Sequence, residues 1–223
     1  MRKLAWSACL VFLLVWVGAC RAEAQSAPIG ELAGLLQGTN PPGSRLEETA
    51  LGDVAADAIR TVLGVDVALL NGGAIRANLQ GGEVTGSDLQ MAFPKDEALV
   101  TASVTGAQLR TLLEAGVSQI TVGENDQVDW SASASDGFPQ ISGFAFVYDP
   151  SAPSGERVTE LEREGKPVEE DAVLLLACPE SMAAGDYGYP MLTDCRKTAE
   201  TVRSALAAYL EGTTVEVPRL GRI

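Results

Sequence analysis

The 223-residue sequence contains no histidine, and this absence excludes several classes of function. A Ser-His-Asp triad, a Cys-His pair and any zinc site that uses imidazole all need at least one histidine. Positive charge is also scarce, because 16 Lys and Arg stand against 30 Asp and Glu, for a formal net charge of −14. Non-specific nucleic-acid binding depends on Lys and Arg that neutralise phosphates. The composition therefore argues against histidine-dependent catalysis and against a nucleic-acid partner.

Aromatic residues are few, at 5% of the chain, yet hydrophobic residues make up 46% of it. That hydrophobic fraction is sufficient for a packed core, which excludes a wholly disordered protein. No internal linker divides the chain, so its length favours one domain once a leader is removed.

Residues 1–24 have the pattern of an export signal. Two basic residues precede an apolar run of about 14 residues, shorter than the roughly 20 needed to span a bilayer. Two cleavage sites remain open. Ala-Glu-Ala at 22–24 suits ordinary secretion, whereas Val-Gly-Ala-Cys at 17–20 resembles a bacterial lipobox, for which a leader of residues 1–19 would leave a lipidated Cys20. Either site predicts export, to the periplasm or to a membrane through a lipid anchor.

Cys178 and Cys195 are the cysteines that follow the leader. In an oxidising compartment, two remaining thiols favour a disulfide, with two buried free cysteines as the alternative. Their spacing is not that of a C-x-x-C redox motif, so the expected bridge is structural.

The remaining chain predicts a linker followed by a single α+β domain. Residues 25–44 are rich in small residues and proline, which is typical of a tether with at most one helical turn. Apolar residues then recur at helical spacing from position 46 to 62, and Gly64 ends that helix. Helices and strands alternate irregularly afterwards, so residues 45–223 are expected to form a mixed β-sheet packed with helices.

Several local features carry their own expectations. Residues 141–148 predict one strand, and the last helix is expected over about 197–209. The Ser-rich stretch 127–137 predicts an exposed loop. Asp57 and Arg60 lie one turn apart on the first helix, which favours an ion pair on its surface.

Five ordered segments resemble the C-terminal domain of the 5′-nucleotidase family, which includes bacterial UDP-sugar hydrolases. Together they cover about residues 45–195. The segments are ETALGDVAADA (48–58), NGGAIR (71–76), FP with LV and TGAQL (93–109), QISGF (140–144) and GDYGY (185–189).

In the family this sequence resembles, catalysis and substrate binding lie in different domains. An N-terminal metallophosphatase domain holds two metal ions through Asp, Asn and His, and the C-terminal domain supplies the nucleoside pocket. The resemblance therefore implies nucleotide hydrolysis as the family's chemistry. Without histidine this chain cannot build that dimetal centre, so we expect no catalytic residue, metal ligand or cofactor of its own. A separately encoded metallophosphatase is then an expected partner.

The segment after the first buried strand predicts the ligand pocket. Gly72 and Gly73 permit a tight turn and close backbone approach, and Asn71 can both donate and accept hydrogen bonds. Arg76 can bind a carboxylate, a phosphate or a ribose oxygen. The resemblance implies that Asn71 and Arg76 contact substrate. The alternative is a structural Asn-Gly turn beside a solvated arginine.

Further pocket residues depend on the resemblance alone. Arg45 matches a substrate-contacting arginine, although a solvated arginine is an equal alternative. Family members hold the base between two aromatic rings. Tyr189 matches the second ring, but Lys95 occupies the position of the first, and Tyr187 stands where an aspartate is usual. Asp194 could accept hydrogen bonds from a ribose diol, or it could be a surface carboxylate beside Cys195.

Two functions remain open from the sequence. One is an exported domain that binds a nucleoside or nucleotide, with the acidic composition favouring the uncharged nucleoside. The other is an exported scaffold that kept the fold and lost the pocket.

Overall fold

The computed structural model describes residues 27–123, 127–133 and 135–223, so the leader, its cleavage sites and Cys20 lie outside the described residues. The strands are β1 (Pro28–Leu32), β2 (Val67–Asn71), β3 (Gly82–Thr85), β4 (Ala98–Thr105), β5 (Pro139–Ser142), β6 (Ala145–Tyr148), β7 (Val158–Arg163), β8 (Lys166–Pro167), β9 (Val173–Pro179), β10 (Arg196–Thr201) and β11 (Thr214–Val215). The α-helices are α1 (Ala50–Leu63), α2 (Gly86–Ala92), α3 (Gly106–Val117), α4 (Trp130–Ser133), α5 (Glu180–Ala183) and α6 (Val202–Leu210).

The central sheet has five strands in the order β10-β4-β9-β2-β5. Strands β2 and β9 are parallel, and the other neighbours are antiparallel, so the sheet is mixed as predicted. Every residue of β2 is buried because both faces of the sheet are covered. Ala68 and Leu70 of β2 face the core that contains α1 and α6, and Val67 and Leu69 face the core that contains α3. The α+β fold class is confirmed.

Local capping sets the helix ends. The Thr49 side chain accepts from the Gly52 N–H at the start of α1, and Gly64 ends the helix in the left-handed conformation at φ 63°. Thr105 and Gln108 cap α3 reciprocally, in the capping box that their spacing predicts.

The segment 28–36 corrects the prediction of a tether with a helical turn. Strand β1 pairs antiparallel with β3 and parallel with β11. Leu32 and Leu36 are 1% and 0% exposed, so this segment belongs to the core. This strand has no clear signal in the sequence, because five residues are too few for a distinct alternation and its partners lie far along the chain.

Two other elements differ from their predicted form. The strand expected over 141–148 divides at Gly143, where φ is +89°, and its halves β5 and β6 belong to different sheets. The last helix begins at Val202 rather than near 197, because Thr201 and Ser204 form a capping box and the preceding residues form β10.

Both cysteines are free thiols, which corrects the predicted bridge. Cys178 is buried in β9, and burial raises the pKa of its thiol to about 12. The Cys195 thiol points to the Leu192 carbonyl at 3.7 Å. A disulfide needs a specific geometry, which neither the number of cysteines nor the compartment supplies.

Residues 221–223 are held by an acidic clamp, defined by Glu48, Asp53, Asp57 and Arg222. The Glu48 carboxylate accepts the backbone N–H groups of residues 221, 222 and 223 at 2.8, 3.0 and 3.2 Å. Arg222 donates twice to Asp57, at 2.9 and 2.8 Å. Its Nε lies 3.4 Å from Asp53, whose side chain is fully buried. Asp57 therefore pairs with Arg222 instead of the predicted Arg60.

Asp53 is expected to make stability fall as pH rises. Burial raises the pKa of its carboxyl from 3.8 to about 8, although the Arg222 charge opposes this. The folded state then holds a proton that the unfolded state releases, so stability is full below about pH 4 and declines up to about pH 8. The expected slope is at most about 1.4 kcal/mol per pH unit.

Urea unfolding at pH 5, 6, 7 and 8 measures this slope. Because the chain contains no histidine, no imidazole titrates between pH 5 and pH 8. The Asp53→Asn variant should lose most of the slope, and equal slopes in the two proteins would contradict the assignment.

Candidate functional site

Three loops meet at the carboxyl end of β2, and backbone hydrogen bonds join them. The Gly72 N–H donates to the Phe138 carbonyl at 2.7 Å, and the Ser44 hydroxyl donates to the Gly72 carbonyl at 2.9 Å. The Ser135 N–H donates to the Arg45 carbonyl at 3.0 Å. Loops 43–46, 71–76 and 135–138 therefore form one connected surface.

The two glycines after β2 are required by close contacts. A Cβ atom at Gly72 would lie 1.7 Å from the Ser44 carbonyl oxygen. One at Gly73 would lie 2.5 Å from the Cβ of Asp136. No side chain fits at either distance, so the close approach expected of these glycines is present.

One carboxylate lies between two arginines in an arrangement that we call the arginine cluster, formed by Arg45, Arg76 and Asp136. The Arg45 Nε atom is 2.7 Å from Asp136 Oδ1, and an Arg76 terminal nitrogen is 3.4 Å from Asp136 Oδ2. The three side chains are 44%, 45% and 36% exposed. Ion pairs with this exposure contribute only about 0–1 kcal/mol to stability, so folding energy does not account for the cluster.

Asp136 was not among the residues predicted from the sequence. It lies in the Ser-rich stretch predicted to be an exposed loop, where the structure instead has the short helix α4 and a fully buried Ser133. The Asp136-Gly137 dipeptide is a turn signal, but nothing in the sequence indicates which loops that turn contacts.

Asn71 is hydrogen-bonded to the backbone of Asp136, and its side-chain oxygen has no hydrogen-bond partner among the described residues. Its side chain is buried, and its Nδ2 group donates to the Asp136 carbonyl at 3.2 Å. Its Oδ1 atom has no hydrogen-bond partner among the described residues. An unpaired buried acceptor is costly, but Asn71 is 1% exposed and is not among the residues that line the adjoining cavity.

A cavity of about 230 Å³ adjoins both arginines. Ligand pockets for drug-sized molecules are usually about 300–1,000 Å³, so this cavity lies just below that range. Its other lining residues are Gly38, Thr39, Pro42, Gly43, Ser44 and Ile75.

Tyr189 does not form the aromatic wall that the resemblance implies. The residue is 4% exposed, and its hydroxyl donates to the Gly137 carbonyl at 2.7 Å. Burial raises the pKa of this phenol far above its usual range. Tyr189 therefore braces the loop that carries Asp136, with no ring face open to a ligand.

The position of the other aromatic wall is charged. Lys95 forms an ion pair with the buried Glu97 at 2.9 Å. Glu97 also accepts from the Ser181 hydroxyl and, at 3.4 Å, from the Tyr187 hydroxyl. Phe93 is fully buried in the core. Lys95 and Tyr187 are thus used in binding Glu97.

Asp194 lies apart from the arginine cluster. It is exposed with φ +56°, and within the described residues no hydrogen bond or ion pair joins it to either arginine. The pKa of the Cys195 thiol is raised, first by partial burial and second by the negative charge of Asp194. The structure favours the surface carboxylate beside Cys195.

In the described ranges there is also no group of three His, Cys, Asp or Glu residues able to hold a metal ion.

Comparison with known proteins identifies the family. Residues 28–194 match the family described as 5′-nucleotidase, C-terminal domain. The chain belongs to this family. Over 159 residues it is 28% identical to the trifunctional nucleotide phosphoesterase YfkN of Bacillus subtilis, covering 67% of this chain and 10% of that protein. Over 170 residues it is 31% identical to a probable 5′-nucleotidase of Treponema pallidum, covering 71% and 26%.

Solved structures support the same family fold. The crystal structure of a 5′-nucleotidase precursor from Thermus thermophilus superposes with a TM-score of 0.79 at 26% identity, covering 94% of this chain and 41% of that one. The NAD nucleotidase of Haemophilus influenzae, at 17% identity and a TM-score of 0.75, shows the fold alone. The family domain described here thus spans less than half of each of these longer relatives.

Proposed function

We propose that this chain is an exported ligand-binding domain of the 5′-nucleotidase family, and that it binds a nucleoside-type ligand at the arginine cluster. The observation that carries the proposal is that Arg45 and Arg76 share one carboxylate at the edge of one cavity. The resemblance implies substrate contacts for both arginines and for Asn71, and these residues lie on loops joined to one another.

The chemistry of the site suits a hydroxyl-bearing ligand. The arginines donate hydrogen bonds, while the partly exposed Asp136 carboxylate accepts them. Stacking on an aromatic side chain is worth about 1–3 kcal/mol per base, and neither expected wall is available for it. We therefore expect the domain to bind its ligand roughly ten- to a hundredfold more weakly than a pocket with aromatic walls would.

Hydrolysis requires a component beyond this chain. In the family a dimetal centre activates water, and the sequence contains no histidine with which to build one. We propose that a separately encoded metallophosphatase supplies that chemistry.

Export remains part of the proposal because residues 1–24 have a leader pattern. Among the described helices, none has the length and apolarity of a membrane span. Mass spectrometry of the purified protein distinguishes an N-terminal Gln25 from a lipidated Cys20.

Replacement of Arg76 with alanine is expected to weaken nucleoside binding at least about tenfold, since a charge-assisted donor is lost. Isothermal titration calorimetry measures this with adenosine, uridine, AMP and UDP-glucose. The titrated protein is expressed from its full sequence and purified in its exported form. The matched control is Arg196→Ala, an exposed arginine on β10.

Saturable binding in the wild type and in the Arg196 variant, lost in the Arg76 variant, is the expected result. Absence of binding at millimolar ligand, in protein whose circular dichroism shows it folded, would contradict the proposal. That result would favour the alternative function, an exported scaffold. The absence of aromatic walls and the net charge of −14 also favour a scaffold.

A further inference from the structure

We infer that Asp136 is a built-in counter-ion that sets the charge preference of this site, so that a neutral hydroxyl-bearing ligand is bound in preference to its phosphorylated form. The inference rests on the proposed function and names the ligand class. Nothing in the resemblance points to this residue, because it lies outside the five matching segments.

The carboxylate of Asp136 occupies the position that an anionic ligand would need. Asp136 is the acid within ion-pair distance of both Arg45 and Arg76, and no other described acid pairs with either of them. Both guanidinium groups already have a negative partner before any ligand arrives. The net charge of the cluster is +1, whereas two arginines alone would give +2.

Asp136 is also fixed in place by its neighbours. Its backbone carbonyl accepts from Asn71 Nδ2 at 3.2 Å and from the Gly73 N–H at 3.0 Å. Its side chain packs so closely on Gly73 that a Cβ there would lie 2.6 Å from Asp136 Oδ1. A carboxylate held in this way does not move aside as freely as one on a long surface side chain.

The consequence for ligands follows from charge. A phosphate that enters must displace Asp136 from the arginines or lie next to it, and repulsion between two anions in contact costs about tenfold or more in affinity. A sugar hydroxyl has no such penalty, because it can donate to the carboxylate and accept from a guanidinium. The site therefore favours a nucleoside over its monophosphate.

The test is a titration of wild-type protein and the Asp136→Asn variant with adenosine, AMP and inorganic phosphate. Asparagine keeps the shape and the backbone contacts but removes the charge. The expected result is that AMP and phosphate bind at least about tenfold more tightly to the variant, while adenosine binds equally or a few fold more weakly. Asp171→Asn, an exposed aspartate before β9, is the matched control and should change nothing.

Two further variants keep the test decisive. Asp136→Ser is a second neutral replacement if the asparagine variant does not fold, and Asp136→Glu restores the charge and should restore the weak phosphate binding. A gain of phosphate affinity supports the inference even if wild-type protein binds no adenosine, an outcome that would overturn only the proposed function. If adenosine binds and neither neutral variant gains AMP or phosphate affinity beyond the Asp171 control, the inference is wrong and the proposed function stands.

Discussion

The Arg222→Ala variant is expected to be less stable than the wild type by about 2–3 kcal/mol, less than the roughly 3–5 kcal/mol for one partner of a fully buried charge pair, because Arg222 and Asp57 are about a quarter exposed. Asp53 is fully buried, Asp57 is about three-quarters buried, and Arg222 is the cation that contacts both. The variant also loses the hydrogen bond from Arg222 to the Ile141 carbonyl at 2.9 Å. Asp57 would then lose its ion pair with Arg222, and Arg60 would reach it only through the Ser142 hydroxyl.

Urea unfolding followed by circular dichroism measures this loss. Arg219→Ala removes an exposed arginine three residues earlier and should remain within about 0.5 kcal/mol of the wild type. Arg222→Lys should recover part of the stability, because it keeps the charge but not the two-point contact with Asp57. If the Arg222→Ala and Arg219→Ala variants unfold at the same urea concentration, the acidic clamp contributes little.

The Gly72→Ala variant is expected to lose both stability and ligand binding. Its new methyl group would lie 1.7 Å from the Ser44 carbonyl oxygen and 3.1 Å from that of Phe138, so backbone must move on both sides. Overpacking of this kind costs about 1–3 kcal/mol, and backbone contacts are less adaptable than side chains. The shift would separate loop 43–46, which carries Arg45, from the loop that carries Arg76.

Thermal unfolding and nucleoside titration measure the two effects. We expect a fall of about 1–3 kcal/mol in the free energy of unfolding and at least a tenfold loss of affinity. Gly123→Ala is the matched control, since among the described residues a Cβ there comes closest to the Gln127 carbonyl oxygen, at 3.7 Å, an ordinary contact. Unchanged affinity in a Gly72→Ala protein would show that the position of loop 43–46 does not matter for binding.

The acidic clamp and the ligand site share a structural support. Gln140 is fully buried on β5, and its amide donates to the carbonyls of Ser44 and Glu47 at 3.0 and 2.8 Å. Its Oε1 atom accepts from the Thr49 N–H at 3.0 Å. The segment 44–49, which carries Arg45 of the ligand site and Glu48 of the clamp, is thus held by one side chain.

Features that depend on a few neighbouring residues could be predicted from the sequence. The glycine at position 64 and the Thr105–Gln108 pair define helix ends through contacts one turn apart. The position of the turn at Gly72 follows from the apolar strand directly before it, whereas the contact that requires glycine there comes from the distant Ser44. The absence of histidine, which excludes whole classes of catalysis, needs no structure at all.

The pairing of distant segments depends on the folded path of the chain and could not be predicted. Asp136 meets arginines 91 and 60 positions earlier in the chain, and Arg222 meets an aspartate 165 positions earlier. The Tyr189 hydroxyl likewise donates to the Gly137 carbonyl, 52 positions earlier in the chain. An exposed arginine and one held by a carboxylate have the same sequence signature, because a charge partner is fixed by the folded path of the chain. The sequence alone therefore determined the family, the end of α1 and the start of α3, while folding decided which charges the candidate site presents to a ligand.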